Sequence, residues 1–184
     1  MTAVTSNMLP LGTKAPNFTL LDTVSHDKVT LKNLKGSKAT VIMFICNHCP
    51  FVLHVNAKLV ELASFYPQKG VRFVAISSND VDNYPQDSPH LMTLQAQKLH
   101  YPFPYLYDET QEVAKAYQAA CTPDFFVFDA ELKLAYRGQL DDSRPHNGKP
   151  VTGNDLSIAL DLILQNKKVD FIQKPSIGCN IKWK

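Results

Sequence analysis

Two cysteines, Cys46 and Cys49, stand two residues apart with Asn47 and His48 between them and Pro50 directly after. A thiolate is both a nucleophile and a soft metal ligand. This spacing therefore serves disulfide exchange or metal binding, and which of the two depends on where the backbone puts the sulfurs. Thr40 to Ile45, immediately upstream, is an apolar, β-branched run long enough for one buried strand. Downstream the apolar spacing becomes helical, with Val52, Val55, Leu59, Leu62, Ala63 and Phe65 on one face. Pro50 suits the first helical position, where no backbone N–H is needed. The pair thus falls at a strand-to-helix junction, beside unpaired N–H groups and the positive end of the helix dipole. Cys46 is expected to be the acidic thiol stabilised there.

Three other groups of residues bear on the same chemistry. Thr122-Pro123 precedes the strand candidate Asp124 to Asp129. A cis bond there would turn the Thr122 backbone toward the cysteines, where it could pair with an extended substrate chain. Cys121 suits a third redox thiol, a metal ligand or an apolar filler. Cys179, in the segment SIGCNIKWK, is a further thiol whose spacing fixes no partner, which reads as an idle or packed one. No second CxxC and no HxxxH completes a tetrahedral zinc set.

The chain has 184 residues, enough for one domain with a substantial core. With 19 basic and 17 acidic residues the net charge is +2, which gives no general case for nucleic-acid or membrane binding. Four cysteines are too few for a disulfide scaffold of this length. The start, MTAVTSNMLPLG, has neither a charged opening nor an apolar stretch of the secretory kind, so a cytoplasmic location is expected.

The remaining elements place the pair. Residues 1–14 read as an irregular lead-in. Asn17 to Leu21 and Val29 to Leu31 read as a hairpin. Val71 to Ser77 is a buried strand, and Ser88-Pro89 opens a helix with Met92, Ala96 and Leu99 as its stripe. Phe103 to Tyr107 is a short strand, and Asp108 with Gln111 makes a capping box for a helix through Tyr117. Asp124 to Asp129 and Leu132 to Arg137 form a second hairpin. Thr152 with Asp155 caps a helix from Leu156 to Gln165. Helices between strands imply parallel pairing with right-handed crossovers. The expected fold is α/β, three-layered, with a central mixed sheet, helices on both faces and an N-terminal hairpin. One domain spans 1–184, with a core at about 11–165 and a C-terminal tail at 166–184.

A CxxC at such a junction reads as a thioredoxin-like redox motif. The segments LGTKAPNFTLLD, VTLKNLKGS, CNHCP, YLYDETQEVAKAY and CTPDFFVFDAELKLAYRGQLDD together resemble the AhpC/TSA, peroxiredoxin-like group of thioredoxin-fold proteins, here with a CxxC kept. The chain departs from both poles of that group. Thioredoxin proper has tryptophan where Ile45 stands. The peroxidase pattern Pro-x-x-x-Thr-x-x-Cys finds Ile42 and Cys46 counting back from Cys49, and Ala39 and Met43 counting back from Cys46.

The resemblance therefore implies disulfide exchange more than antioxidant peroxide reduction. Cys46 would be the outer, attacking sulfur and Cys49 the deeper one that closes the disulfide bond. His48 would lower the Cys46 pKa, and Thr122 and Pro123 would line the substrate site. Protein or small-molecule thiols and disulfides would be the partners, with no cofactor and no metal required. Two alternatives stand beside this: copper or zinc binding on the same fold, with Cys121 or His48 completing a site, and a thiol peroxidase without the usual motif.

Overall fold

The structure is a computed structural model that describes residues 3–184. Met1 and Thr2, the start of the expected lead-in, lie outside the described residues. In chain order the elements are β1 (Ala3–Thr5), β2 (Thr19–Asp22), β3 (Lys28–Thr30), α1 (Leu31–Leu34), β4 (Ala39–Phe44), α2 (Pro50–Phe65) and β5 (Val71–Ser77). Then come α3 (Pro89–Lys98), β6 (Tyr105–Tyr107), α4 (Glu112–Ala116), β7 (Cys121–Thr122), β8 (Asp124–Asp129), β9 (Leu134–Gly138), α5 (Asn154–Leu164) and β10 (Ile177–Asn180).

Seven strands form one sheet in the order β3-β2-β6-β5-β4-β8-β9. β4, the β-branched run, lies inside it and is buried along its whole length. It pairs in parallel with β5 and antiparallel with β8. Because side chains alternate along a strand, β4 feeds two cores. Val41 and Met43 pack with α2, α3 and α5 through Val52, Leu59, Met92 and Leu160. Ile42 and Phe44 pack on the other face with Leu31, Ala114 and Tyr117. This is the expected mixed sheet between two helical layers, with the hairpin β2-β3 at one edge and β8-β9 at the other.

The tail departs from expectation. Residues 177–180 do not trail into solvent: β10 is the middle strand of a second sheet, β1-β10-β7. The lead-in likewise contributes β1. The three strands are only three, four and two residues long, too short for side-chain alternation to reveal them.

Two helix starts also differ. Gln111 does not close a capping box; it takes a left-handed conformation with φ of 63°, and its side-chain amide donates to the carbonyls of Ser78 and Lys182. The Asp108 carboxylate instead accepts the backbone N–H groups of Val113 and Ala114. At α5, the Asp141 carboxylate accepts the N–H groups of Thr152 and Gly153 at 2.7 and 2.6 Å, where Thr152 with Asp155 was expected to cap. Asp108 is thus the capping acceptor the sequence named, with Gln111 turned to another task, whereas Asp141 comes from a distant position that local spacing does not encode. On α2, Phe65 belongs to the exposed side rather than the core.

Candidate functional site

β4 ends at Phe44 and α2 begins at Pro50, so residues 45–49 turn the chain from sheet to helix. Cys49 is the residue that caps α2, with Pro50 directly after it. The turn is held through Asn47. Its backbone N–H donates to Asp87 Oδ1 at 2.8 Å, its side-chain amide donates to the Gln86 carbonyl at 2.9 Å, and its side-chain oxygen accepts the Tyr105 hydroxyl at 3.1 Å. Asp87 also accepts from Asn79 Nδ2 at 2.8 Å. His48 Nδ1 lies 2.6 Å from Asp87 Oδ2, close but off the hydrogen-bonding direction. The His48 ring stacks on Tyr84, 5.7 Å between centroids.

The thiols meet three other groups. Cys46 Sγ is 3.5 Å from Thr122 Oγ1. Cys49 Sγ is 3.1 Å from the Thr122 carbonyl and 2.8 Å from Cys179 Sγ. The Thr122-Pro123 bond is cis. Both expected site thiols are buried, Cys46 at 2% exposure and Cys49 at 0%, so Cys46 is hardly the outer sulfur its position suggested.

The acidic seat is also corrected. The two thiols titrate together, so that a charge on one opposes a charge on the other. That charge settles on Cys49, whose pKa falls to about 5 because Cys46 donates to it, with help from Cys179, Thr122 and the Val52 N–H and against the cost of burial. Cys46 is raised, first by that same bond, then by burial and by the nearby Asp87 carboxylate. For Cys49 the helix terminus itself adds only the last of these contributions, the Val52 N–H, since Cys49 directly precedes α2.

The Thr122 edge is not open as expected. In the β10–β7 register Cys179 stands opposite Thr122 and Asn180 opposite Cys121, so the chain's own tail takes the place assigned to an extended substrate. Burial, with the Cys49 sulfur beside it, raises the Cys179 pKa to about 12. Cys121 is buried, its thiol pushed far up by desolvation, and its nearest polar contact is the Pro123 carbonyl at 3.7 Å. This is the setting of an apolar filler.

Sequence reasoning missed Asp87, Tyr105 and Asp124. Asp87 and Tyr105 lie in segments read only as a polar turn and a short strand, and no spacing links them to the CxxC. Asp124 was read as the start of a strand. It is wholly buried, neither carboxylate oxygen makes a hydrogen bond, and burial drives its pKa well up. Among the described residues one cluster could hold a metal: Cys46, His48 and Asp87 offer ligand atoms all within 4.8 Å of one another.

A mixed sheet between helical layers, with a dithiol where β4 passes into α2 and a cis-proline loop against it, defines a thioredoxin-like protein. A model of the AhpC/TSA family matches residues 11–137, and the chain belongs to that family. The crystal structure of an uncharacterized conserved protein from Geobacillus kaustophilus is 62% identical, with 100% of this chain and 97% of that one covered and a TM-score of 0.98. A hypothetical protein from Sinorhizobium meliloti 1021 is 47% identical over 98% of each chain, TM-score 0.95. A thiol:disulfide interchange protein of the thioredoxin family from Chlorobium tepidum TLS shares the fold at 17% identity, covering 83% of this chain and 97% of that one, TM-score 0.63. No curated protein matches the chain. No helix among the described residues is long and apolar enough to cross a membrane.

Proposed function

We propose that this protein is a thiol–disulfide oxidoreductase in which Cys46 attacks and Cys49 resolves. The observation that carries this is the Cys46–Cys49 dithiol at the N-terminus of α2, with the cis Thr122-Pro123 segment against both sulfurs. The Cys46 proton passes to Cys49 as Cys46 Sγ attacks one sulfur of a substrate disulfide. A mixed disulfide forms, and the other substrate sulfur leaves as a thiolate. Cys49 then loses its proton to that thiolate or to water and attacks Cys46 Sγ. The Cys46–Cys49 bond forms, the second substrate thiolate departs, and the substrate has gained two electrons. Run backward, the same steps oxidise a dithiol.

The Thr122 hydroxyl, beside Cys46, positions the entering disulfide together with Pro123. With the Thr122 backbone edge covered by β10, the substrates are small-molecule disulfides or cystines on projecting loops, approaching over Asn47 and His48. Prereduced protein is expected to reduce insulin disulfides, and Cys46→Ser to lose that activity.

A second reading rests on the Cys46, His48 and Asp87 cluster, whose donor set suits zinc or copper. Both Asp87 oxygens already accept hydrogen bonds, which favours the dithiol reading. Metal content of anaerobically purified protein separates the two.

A further inference from the structure

We infer that Cys179 is a third redox thiol that exchanges into the active-site disulfide, so that oxidising equivalents are held as a Cys49–Cys179 bond beneath the tail. This rests on the dithiol reading above and extends it.

Three observations converge on the proposal. Cys179 Sγ lies 2.8 Å from Cys49 Sγ, against about 2.0 Å for a covalent disulfide. The approach is built by backbone pairing rather than by a mobile tail: β10 is hydrogen-bonded on one side to β7 and on the other to β1, with Cys179 opposite both Thr122 and Ala3. Further along, Lys182 is tied down through the Asn79 side chain and the Gln111 amide. Finally, Gly178 leaves room for the contact, since a Cβ there would run into the Thr122 carbonyl. The tail thus presents a cysteine to the active-site pair from the strand position a bound substrate chain would occupy.

The step is an exchange with no net oxidation. Once a substrate disulfide has oxidised the pair, the Cys179 thiol loses its proton and its sulfur attacks Cys49 Sγ. The Cys49–Cys179 bond forms and the Cys46–Cys49 bond breaks. The electron pair of the broken bond goes to Cys46, which takes up a proton. Cys46 is then a thiol again while the protein remains oxidised. Reduction runs through the reverse exchange, which restores the Cys46–Cys49 bond. The stored bond lies between two buried sulfurs, Cys49 on α2 and Cys179 on β10.

The test is disulfide mapping of the full chain equilibrated in glutathione/glutathione disulfide buffer, quenched in acid, alkylated and digested with trypsin without reduction. Cys46 and Cys49 fall on one tryptic peptide, 39–58, and Cys179 on another, 169–182. The expected result is a linked pair of these two peptides in the oxidised wild type, with fragmentation placing the link at Cys49. The link is expected to be absent from Cys46→Ser, which has no sulfur to take up the oxidising equivalents, to vanish in Cys49→Ser, and to fall in Gly178→Ala. In Cys179→Ser the disulfide within 39–58 is expected to accumulate instead. Oxidised wild type carrying only the Cys46–Cys49 bond, with Cys179 alkylated, overturns the relay and leaves the dithiol reading standing. A chain that forms no disulfide under this buffer overturns both.

Discussion

The Asp87 carboxylate accepts the backbone N–H of Asn47 at 2.8 Å across forty residues of sequence. This bond fixes the active-site turn from below and also places a negative charge near Cys46. Both consequences are testable at one position. Asp87→Ala removes the acceptor for Asn47 and Asn79 and is expected to cost about 1–3 kcal/mol by urea unfolding, the usual cost of orphaned buried polar groups. Asp87→Asn removes the charge while keeping an acceptor. The Cys46 thiol pKa is expected to fall, read as faster alkylation of Cys46 at neutral pH in a peptide-resolved assay.

Cys49 makes a prediction about pH. Its folded pKa of about 5 lies below the ~8.5 of an unfolded thiol. Its contribution to stability is complete above the unfolded value and is lost as pH falls through the folded one. Reduced wild type is therefore expected to gain stability over reduced Cys49→Ser as pH rises from about 5 to about 8.5. Thiolate absorbance near 240 nm is expected to appear over the acid range in the wild type and to be missing there in Cys49→Ser.

Asp124 carries the opposite sign. Its pKa is raised by burial, so the folded state holds the proton more tightly than the unfolded chain, whose aspartates titrate near ~3.9. Each step of pH above that value works against folding. Asp124→Asn abolishes the titration. Its stability relative to wild type is expected to climb as pH rises above about 4 in urea titrations of reduced protein, and a difference that is flat or falls there contradicts the assignment.

The CxxC, the strand before it and the proline before β8 could be read from the sequence because each is a local pattern: a β-branched run, a fixed spacing, a proline at a strand start. The order of helices and strands was enough for the mixed sheet. What escaped was non-local. Asp87 reaches Asn47, Gln111 reaches Lys182, and Cys179 reaches Cys49 across 130 residues, and no periodicity records such pairings. The acidic thiol was assigned to Cys46 although Pro50 was rightly read as the first helical position, because which sulfur holds the charge depends on the groups packed against each, and spacing does not record those.

The most direct test of the proposed chemistry identifies the sulfur that attacks. Cys49→Ser combined with Cys179→Ser leaves Cys46 without a partner to resolve its mixed disulfide. Mixed with glutathione disulfide and quenched with acid, this variant is expected to accumulate one glutathione adduct, mapped to Cys46, and Cys46→Ser is expected to show none at Cys49. A double variant that forms no adduct at Cys46, or a Cys46→Ser protein that forms one readily at Cys49, contradicts the account.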